Sequence, residues 1–172
     1  MLGFYENFPE GVHKTELFAY TLPNRKLQQK LIHAISEINR KTFRFEEIAN
    51  PTIPECTIIF ELGIADAQSF NYMGEEEAKK ALNALKKAPY EVLDFFCAIR
   101  YYKTNTEKKT PLKFDYHMLR FAFSKSAVME IRVFHERGPR YISPEDITTF
   151  LADQVNTASP KKILEPVEPD YR

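Results

Sequence analysis

Apolar residues recur along the chain at two spacings, one typical of helices and the other typical of strands. Between residues 25 and 40 they return every three or four positions, so they form one stripe along an amphipathic helix. The same spacing predicts helices over 74–88 and 143–157. The third has a favourable start, because Ser143 is a good N-cap and the proline after it suits the first turn. The predicted buried stripe of the first helix consists of Leu27, Leu31, Ala34, Ile35 and Ile38.

Alternating apolar and polar residues, rich in aromatic and β-branched types, predict strands in much of the remaining chain. The segment 90–104 fits either a short helical turn or a strand at its start, and its aromatic residues favour a strand. Residues 65–73 show no regular pattern. After about residue 158 the chain is rich in proline and loses its periodicity. The predicted strands are 12–22, 43–48, 56–64, 113–123 and 128–135.

The order of these elements predicts the fold class. The first six follow the order β-α-β-β-α-β, which is that of the split βαβ unit of ferredoxin-like folds. We predict an α+β fold with a mainly antiparallel sheet and its helices on one face, in which a hairpin and a C-terminal helix extend this core. The alternative is a curved sheet wrapped around the last helix. Residues 1–157 form one predicted domain, and the Pro-rich segment 158–172 is a predicted tail, solvated or draped over the surface.

The last two strands before the third helix form a hairpin whose register can be predicted. If residues 124 and 128 close the turn, Phe121 lies opposite Ile131, and the apolar residues of both strands share one face. A slip of one residue would destroy that face. The same register places His117 opposite His135. Two facing histidines are a possible start of a metal site, but no other segment has metal-ligand spacing, so we predict no metal and no cofactor.

Composition limits the class of protein. The chain has 172 residues, 44% of them hydrophobic, and equal numbers of acidic and basic residues. This is enough for one domain with its own core, and it excludes a disordered or collagen-like chain. Zero net charge argues against a globally basic nucleic-acid binder, although not against a local basic patch. No apolar run approaches the roughly 20 residues of a membrane span, and no secretory signal is present, so we expect a cytoplasmic protein.

One candidate surface is the face of the hairpin that points away from the predicted core. Arginines alternate there with aromatic residues, an arrangement that can stack bases and bind phosphates. Glu130 lies among them and could neutralise them, which favours a solvated face with cross-strand ion pairs. The same residue types also suit a protein interface, including that of a homodimer, or a nucleic-acid surface. The residues concerned are Tyr116, Arg120 and Arg132 of the hairpin, which Arg100 and Tyr102 of the preceding strand could join.

A second candidate is the polar loop 135–141, between the last long strand and the last helix. It contains His135, Glu136, Arg137 and Arg140 and leads into the helix start, where free N–H groups can bind an anion. The two arginines could therefore clamp a phosphate or a carboxylate. The alternative, which zero net charge favours, is a structural turn in which they pair with Glu136, Glu145 or Asp146.

Catalytic motifs are missing from the sequence. It has no Gly-rich phosphate loop, no GxSxG elbow and no HExxH pair. We therefore predict a non-enzymatic binding module that meets a protein, a second copy of itself or a nucleic acid through the arginine-bearing face and the 135–141 loop. The alternative is an enzyme or small-molecule binder with a pocket near His117, His135, Glu136 and Arg137.

Overall fold

An eight-stranded sheet and three helices make up the α+β fold of the computed structural model, which describes residues 1–52, 55–103 and 113–167. The helices are α1 (Asn24–Ile38), α2 (Glu75–Lys87) and α3 (Pro144–Thr157). The strands are β1 (Lys14–Tyr20), β2 (Thr42–Arg44), β3 (Cys56–Asp66), β4 (Ser69–Tyr72), β5 (Val92–Lys103), β6 (Lys113–Phe123), β7 (Val128–Arg137) and β8 (Leu164–Pro166). Within these described ranges, no helix has the length and apolar character needed to cross a bilayer.

The strands are ordered β2-β3-β5-β6-β7-β1-β8, with β4 paired to β3. Each of these neighbouring pairs is antiparallel. The ferredoxin-like core is not confirmed, because a split βαβ unit needs parallel strands on either side of a helix. Here β1 pairs with β7 and β8, whereas the strand that follows α1 lies at the opposite edge of the sheet. The sheet instead runs antiparallel from β3 through β5 and β6 to β7, and β1 and then β8 continue it beyond β7.

The hairpin of β6 and β7 has the predicted register. Phe121 pairs with Ile131 and His117 pairs with His135, and the apolar partners are fully buried. The hairpin lies inside the sheet, between β5 and β1, and is not an addition at its edge. One irregularity follows the last predicted pair: the register shifts after His117, so Tyr116 lies opposite Arg137. A bulge of this kind redirects the side chains beside it.

Two strands lie where the sequence pattern predicts none. β4 falls within the segment without regular pattern, and β8 falls within the predicted tail. Asn156 of α3 holds the start of β8, because its side-chain oxygen accepts hydrogen bonds from the backbone N–H groups of Ile163 and Leu164. Both apolar residues are buried, so this part of the predicted tail belongs to the sheet. The last five residues of the tail prediction lie outside the described residues.

One apolar core lies between the helices and one face of the sheet. The predicted stripe of α1 is entirely buried, and so are Ile147, Phe150, Leu151 and Val155 of α3. Odd-numbered residues of β5 and β6, such as Phe95 and Phe121, point into this core. Even-numbered residues of the same strands therefore point to the other side of the sheet, which we call the open face.

Candidate functional site

Half-buried apolar side chains cross the open face in one row. Phe96 of β5 lies opposite Met118 of β6, which in turn lies opposite Phe134 of β7. The ring of Phe70 contacts Phe96 at one end, and the ring of His13 contacts Phe134 at the other. We call Phe96, Met118 and Phe134 the apolar row. No helix of the described chain packs on this face in the way the helices cover the core.

The N-terminal segment covers the part of the open face beside the apolar row. The backbone N–H of Tyr5 donates to Asp94 Oδ2 at 2.8 Å. The rings of Phe4 and Phe8 lie against the Arg120 guanidinium, with centroids 5.3 and 4.3 Å from its central carbon. Arg120 is consequently enclosed by the chain's own N-terminus.

The arginines of the open face are paired with carboxylates. Arg120 binds both oxygens of the fully buried Asp94 at 2.7 Å. Arg100 pairs with Glu61 on the neighbouring strand, and Arg132 pairs with Glu130 on its own strand. These contacts agree with the ion-pair alternative for this face, and they leave the three guanidiniums less available for phosphate. Tyr102 lies half-buried on the same face, near the outer end of β5.

Asp115 anchors the turn that follows β7. It is fully buried, and its two oxygens accept hydrogen bonds from the Tyr101 hydroxyl at 2.6 Å and from the backbone N–H groups of Arg140 and Tyr141 at 2.7 and 3.1 Å. The imidazole of His135 lies 2.9 Å from Oδ1. Burial by itself would raise the pKa of Asp115, but these hydrogen bonds outweigh it, so the pKa is lowered. We call residues 138–141 the anchored turn.

Gly138 lets this turn lie directly against β6. Its φ is +116°, and a Cβ at this position would lie 2.4 Å from Asp115 Oδ1 and from the Phe114 backbone oxygen. Any other residue would displace the turn. The close approach and the Asp115 hydrogen bonds together hold the backbone next to Arg137 in one position.

Arg137 lies on an aromatic platform at the end of the open face. Its guanidinium carbon is 4.5 Å from the centroid of the Tyr116 ring. The rings of Tyr116 and Phe114 lie almost parallel, at 12° and 6.2 Å between centroids. A shallow concave site of about 760 Å³ lies over them. It is lined by Lys113, Phe114, Tyr116, Arg137, Gly138 and Pro139.

Neither cation of this concave site forms an ion pair with a carboxylate of the described residues. Neither Arg137 nor Lys113 has a carboxylate within 4.0 Å in the part of the chain that the structure describes. The predicted pairing of Arg137 and Arg140 with Glu136, Glu145 or Asp146 is therefore wrong for the described residues. Glu145 and Asp146 lie instead in the first turn of α3, where the helix dipole favours negative charge, and Ser143 Oγ accepts a hydrogen bond from the Asp146 backbone N–H.

The other three polar residues named in the loop prediction, His135, Glu136 and Arg140, do not line the concave site. Arg140 does not line the concave site, and its charge acts on His13, whose pKa is lowered by burial, then by Arg140 and His135. His135 is turned toward Asp115, and Glu136 is exposed. Arg137 is thus the arginine of the loop that lies at the open face and lines the concave site, and the clamp of two arginines stays a prediction.

His117 lies next to this network but takes no part in it. It is fully buried, its ring is 4.9 Å from that of His135, and neither ring nitrogen has a hydrogen-bond partner. Burial, followed by the charge of His135, lowers its pKa to about 3. Of the four residues near which the enzyme alternative places its pocket, Arg137 lines the concave site, whereas His117, His135 and Glu136 do not. Across the described ranges, no three His, Cys, Asp or Glu side chains are arranged to hold a metal ion.

We expect acid to destabilise the protein through His117. Because its folded-state pKa lies below the unfolded value of 6.5, the unfolded chain binds a proton first as the pH falls. The free energy of unfolding should therefore decrease by about 2–3 kcal/mol between pH 6.5 and pH 4.5 on this account alone. His117→Leu should remove most of that decrease and cost little stability at pH 7. Urea unfolding of the wild type and of His117→Leu between pH 4.5 and pH 7 measures the acid-induced decrease and the stability of the variant at neutral pH.

The matched control for this experiment is His33→Gln, because His33 is exposed on α1. This variant should retain the acid dependence of the wild type. An unchanged pH dependence in His117→Leu would show that another group, such as His13 or Asp115, is responsible.

Asp94, Asp115 and the N-terminal segment are parts of the site that the sequence pattern did not reveal. The predicted register already places Asp115 on the buried face of β6, and a carboxylate at a core position is a signal of a polar network. The partners of that carboxylate come from β5, β7 and the turn, which no local pattern connects.

No family model, no curated protein and no solved structure matches this chain, so its function has to be inferred from the site's own residues.

Proposed function

We propose that the chain is a non-enzymatic binding module whose contact surface lies where the open face meets the 135–141 loop, and that its partner carries negative charge. The proposal rests on one observation: Arg137 is held over Tyr116 by an anchored turn and has no carboxylate partner among the described residues. A guanidinium that stacks on a ring keeps its N–H edge free for a carboxylate or phosphate. Lys113 adds a second cation to the same site, and it too has no carboxylate partner among the described residues.

Rigid placement of Arg137 supports this function. The Asp115 network and the close contact at Gly138 hold the turn before any partner arrives. A preorganised side chain loses less conformational entropy on binding than a mobile one. The other arginines of the open face are neutralised by Asp94, Glu61 and Glu130, so the available positive charge is concentrated at this end.

Affinity capture from a lysate of the source cells tests the proposal. The wild-type chain should retain a partner that added salt releases, because charge contacts between exposed groups are screened. The double variant Lys113→Ala/Arg137→Ala should lose that partner, whereas Arg132→Ala, whose arginine is already ion-paired, should keep it. Nuclease treatment then distinguishes a nucleic acid from a protein. Identical capture by wild type and double variant would refute the proposal.

Self-association is a second candidate function, and the apolar row favours it. Phe96, Met118 and Phe134 are only half-buried, and the neighbouring charges are neutralised in pairs. Because the charges beside the apolar row are paired, this part of the open face does not repel a second copy, and a twofold dimer needs such a self-complementary surface. We therefore propose a homodimer that packs apolar row on apolar row.

Light scattering after size-exclusion chromatography tests this dimer. The wild type should have the mass of two chains at micromolar concentration. Met118→Glu places a charge at the centre of the row and should give the mass of one chain. Gln29→Glu, the same gain of charge on the exposed side of α1, should remain dimeric. A monomeric wild type at high micromolar concentration would rule out the dimer.

A further inference from the structure

We propose that the concave site over Phe114 and Tyr116 binds a nucleotide unit of single-stranded nucleic acid, with its base on the aromatic platform and its phosphate on Arg137 and Lys113. This inference rests on the proposed function and names the chemistry of its partner. A partner that carried only negative charge would need the two cations but not the aromatic rings. A nucleotide would use both, because its base stacks on rings and its phosphate binds cations.

Two neighbouring rings of β6 supply aromatic surface on which a base can stack. The Phe114 and Tyr116 rings are near-parallel at 12°, and both are half-exposed on the open face. Phe96 continues the ring contacts, with its centroid 5.7 Å from that of Tyr116. Successive bases of a single strand stack on such rings irrespective of sequence, because every base has a flat π face.

Two cations lie beside the aromatic rings of the concave site. Arg137 and Lys113 line the same concave site as the two rings, and its volume of about 760 Å³ lies within the range of ligand sites. The Arg137 guanidinium carbon lies over the Tyr116 ring, 4.5 Å from its centroid, and a base can stack on a guanidinium plane as it does on a ring. Its outward edge can form two parallel hydrogen bonds with phosphate oxygens.

The position of the site in the sheet argues against an acidic peptide. An extended peptide is usually bound at a free strand edge, where its backbone adds to the sheet. β6 carries Phe114 and Tyr116 and is paired on both sides, with β5 and β7, so its backbone offers no free edge. A flat, shallow surface of rings also suits unpaired bases better than a duplex, whose bases are already stacked.

Fluorescence anisotropy with a short labelled oligothymidylate tests this inference on the full chain. We expect binding at low salt that weakens as salt increases. Tyr116→Ala should weaken it roughly 5- to 150-fold, and Tyr116→Phe should retain it, because stacking needs the ring and not the hydroxyl. Arg137→Ala should weaken it and reduce the slope of log affinity against log salt by about 0.7, as the loss of one phosphate contact does.

Matched variants separate this site from general charge attraction. Tyr72→Ala removes an exposed tyrosine from β4, and Arg132→Ala removes an ion-paired arginine from the same face, so both should bind like the wild type. Urea unfolding confirms that each variant is folded. Equal binding by Tyr116→Ala, Arg137→Ala and wild type would overturn the inference, because the strand would then lie elsewhere.

A labelled phosphopeptide in the same assay separates the two proposals. If it binds in an Arg137-dependent manner and the oligothymidylate does not bind, the nucleotide inference fails and the proposed function stands. If neither probe binds at low salt, both fail.

Discussion

Asp115→Asn should lower the free energy of unfolding by about 3–5 kcal/mol, although the two side chains have the same shape. In the wild type, each carboxylate oxygen accepts one backbone N–H, that of Arg140 at Oδ1 and that of Tyr141 at Oδ2. An amide has only one oxygen, so its NH₂ group must face one of these N–H groups in either orientation. The Tyr101 hydroxyl can rotate to accept a hydrogen bond, but a backbone N–H can only donate.

Urea unfolding at pH 7 measures the effect, and Asp153→Asn is the control. Asp153 is exposed on α3, so its substitution should change stability by no more than about 0.5 kcal/mol. Because the anchored turn would lose its hydrogen bonds, Asp115→Asn should also weaken whatever binds at Arg137. A variant as stable as the wild type would show that water or a rearranged turn replaces the network.

Arg120→Met should destabilise the protein by about 3–5 kcal/mol, because it leaves Asp94 buried without its cation. The methionine fills much of the volume under Phe4 and Phe8. The loss of stability therefore measures the missing ion pair more than a change in packing. The Tyr5 N–H would remain as a partner of Asp94 in this variant, but it is a neutral donor.

Arg132→Met is the matched control, because Arg132 lies directly opposite Arg120 on the next strand. Its side chain is 39% exposed, and its ion pair with Glu130 is a surface pair worth about 0–1 kcal/mol. The double variant Asp94→Leu/Arg120→Met should recover part of the stability that Arg120→Met loses, because it removes the stranded charge. Equal urea midpoints for the two single variants would mean that water reaches Asp94.

The register of the β6–β7 hairpin could be predicted because one face of it is buried. A strand repeats every two residues, so only one register places Phe121 and Ile131 together on the core side. The stripes of α1 and α3 were predictable for the same reason, since each helix has one face that must leave water. The spacing of apolar residues is therefore enough to predict a helix face or a strand register wherever burial of those residues alone selects it.

The sheet order could not be predicted, because it depends on contacts between distant segments. β1 pairs with β7 and β8, which follow it by more than a hundred residues, and nothing in its alternation specifies those partners. β8 has only three residues, and its place depends on two buried apolar side chains and on the Asn156 side chain. Short strands of this kind carry too little pattern to be distinguished from a tail.

By itself, the sequence determined the α+β class, the helices, the hairpin register and the residue types of the candidate surface. Only the tertiary structure decided which arginines are free of carboxylate partners among the described residues and can therefore bind a negatively charged partner. Arg120 is enclosed by the N-terminal segment, whereas Arg137 is turned onto Tyr116 by a bulge and an anchored turn. The physical reason is that burial follows the local period of the chain, whereas the pairing of a charge depends on the groups that the fold brings within a few ångströms of it.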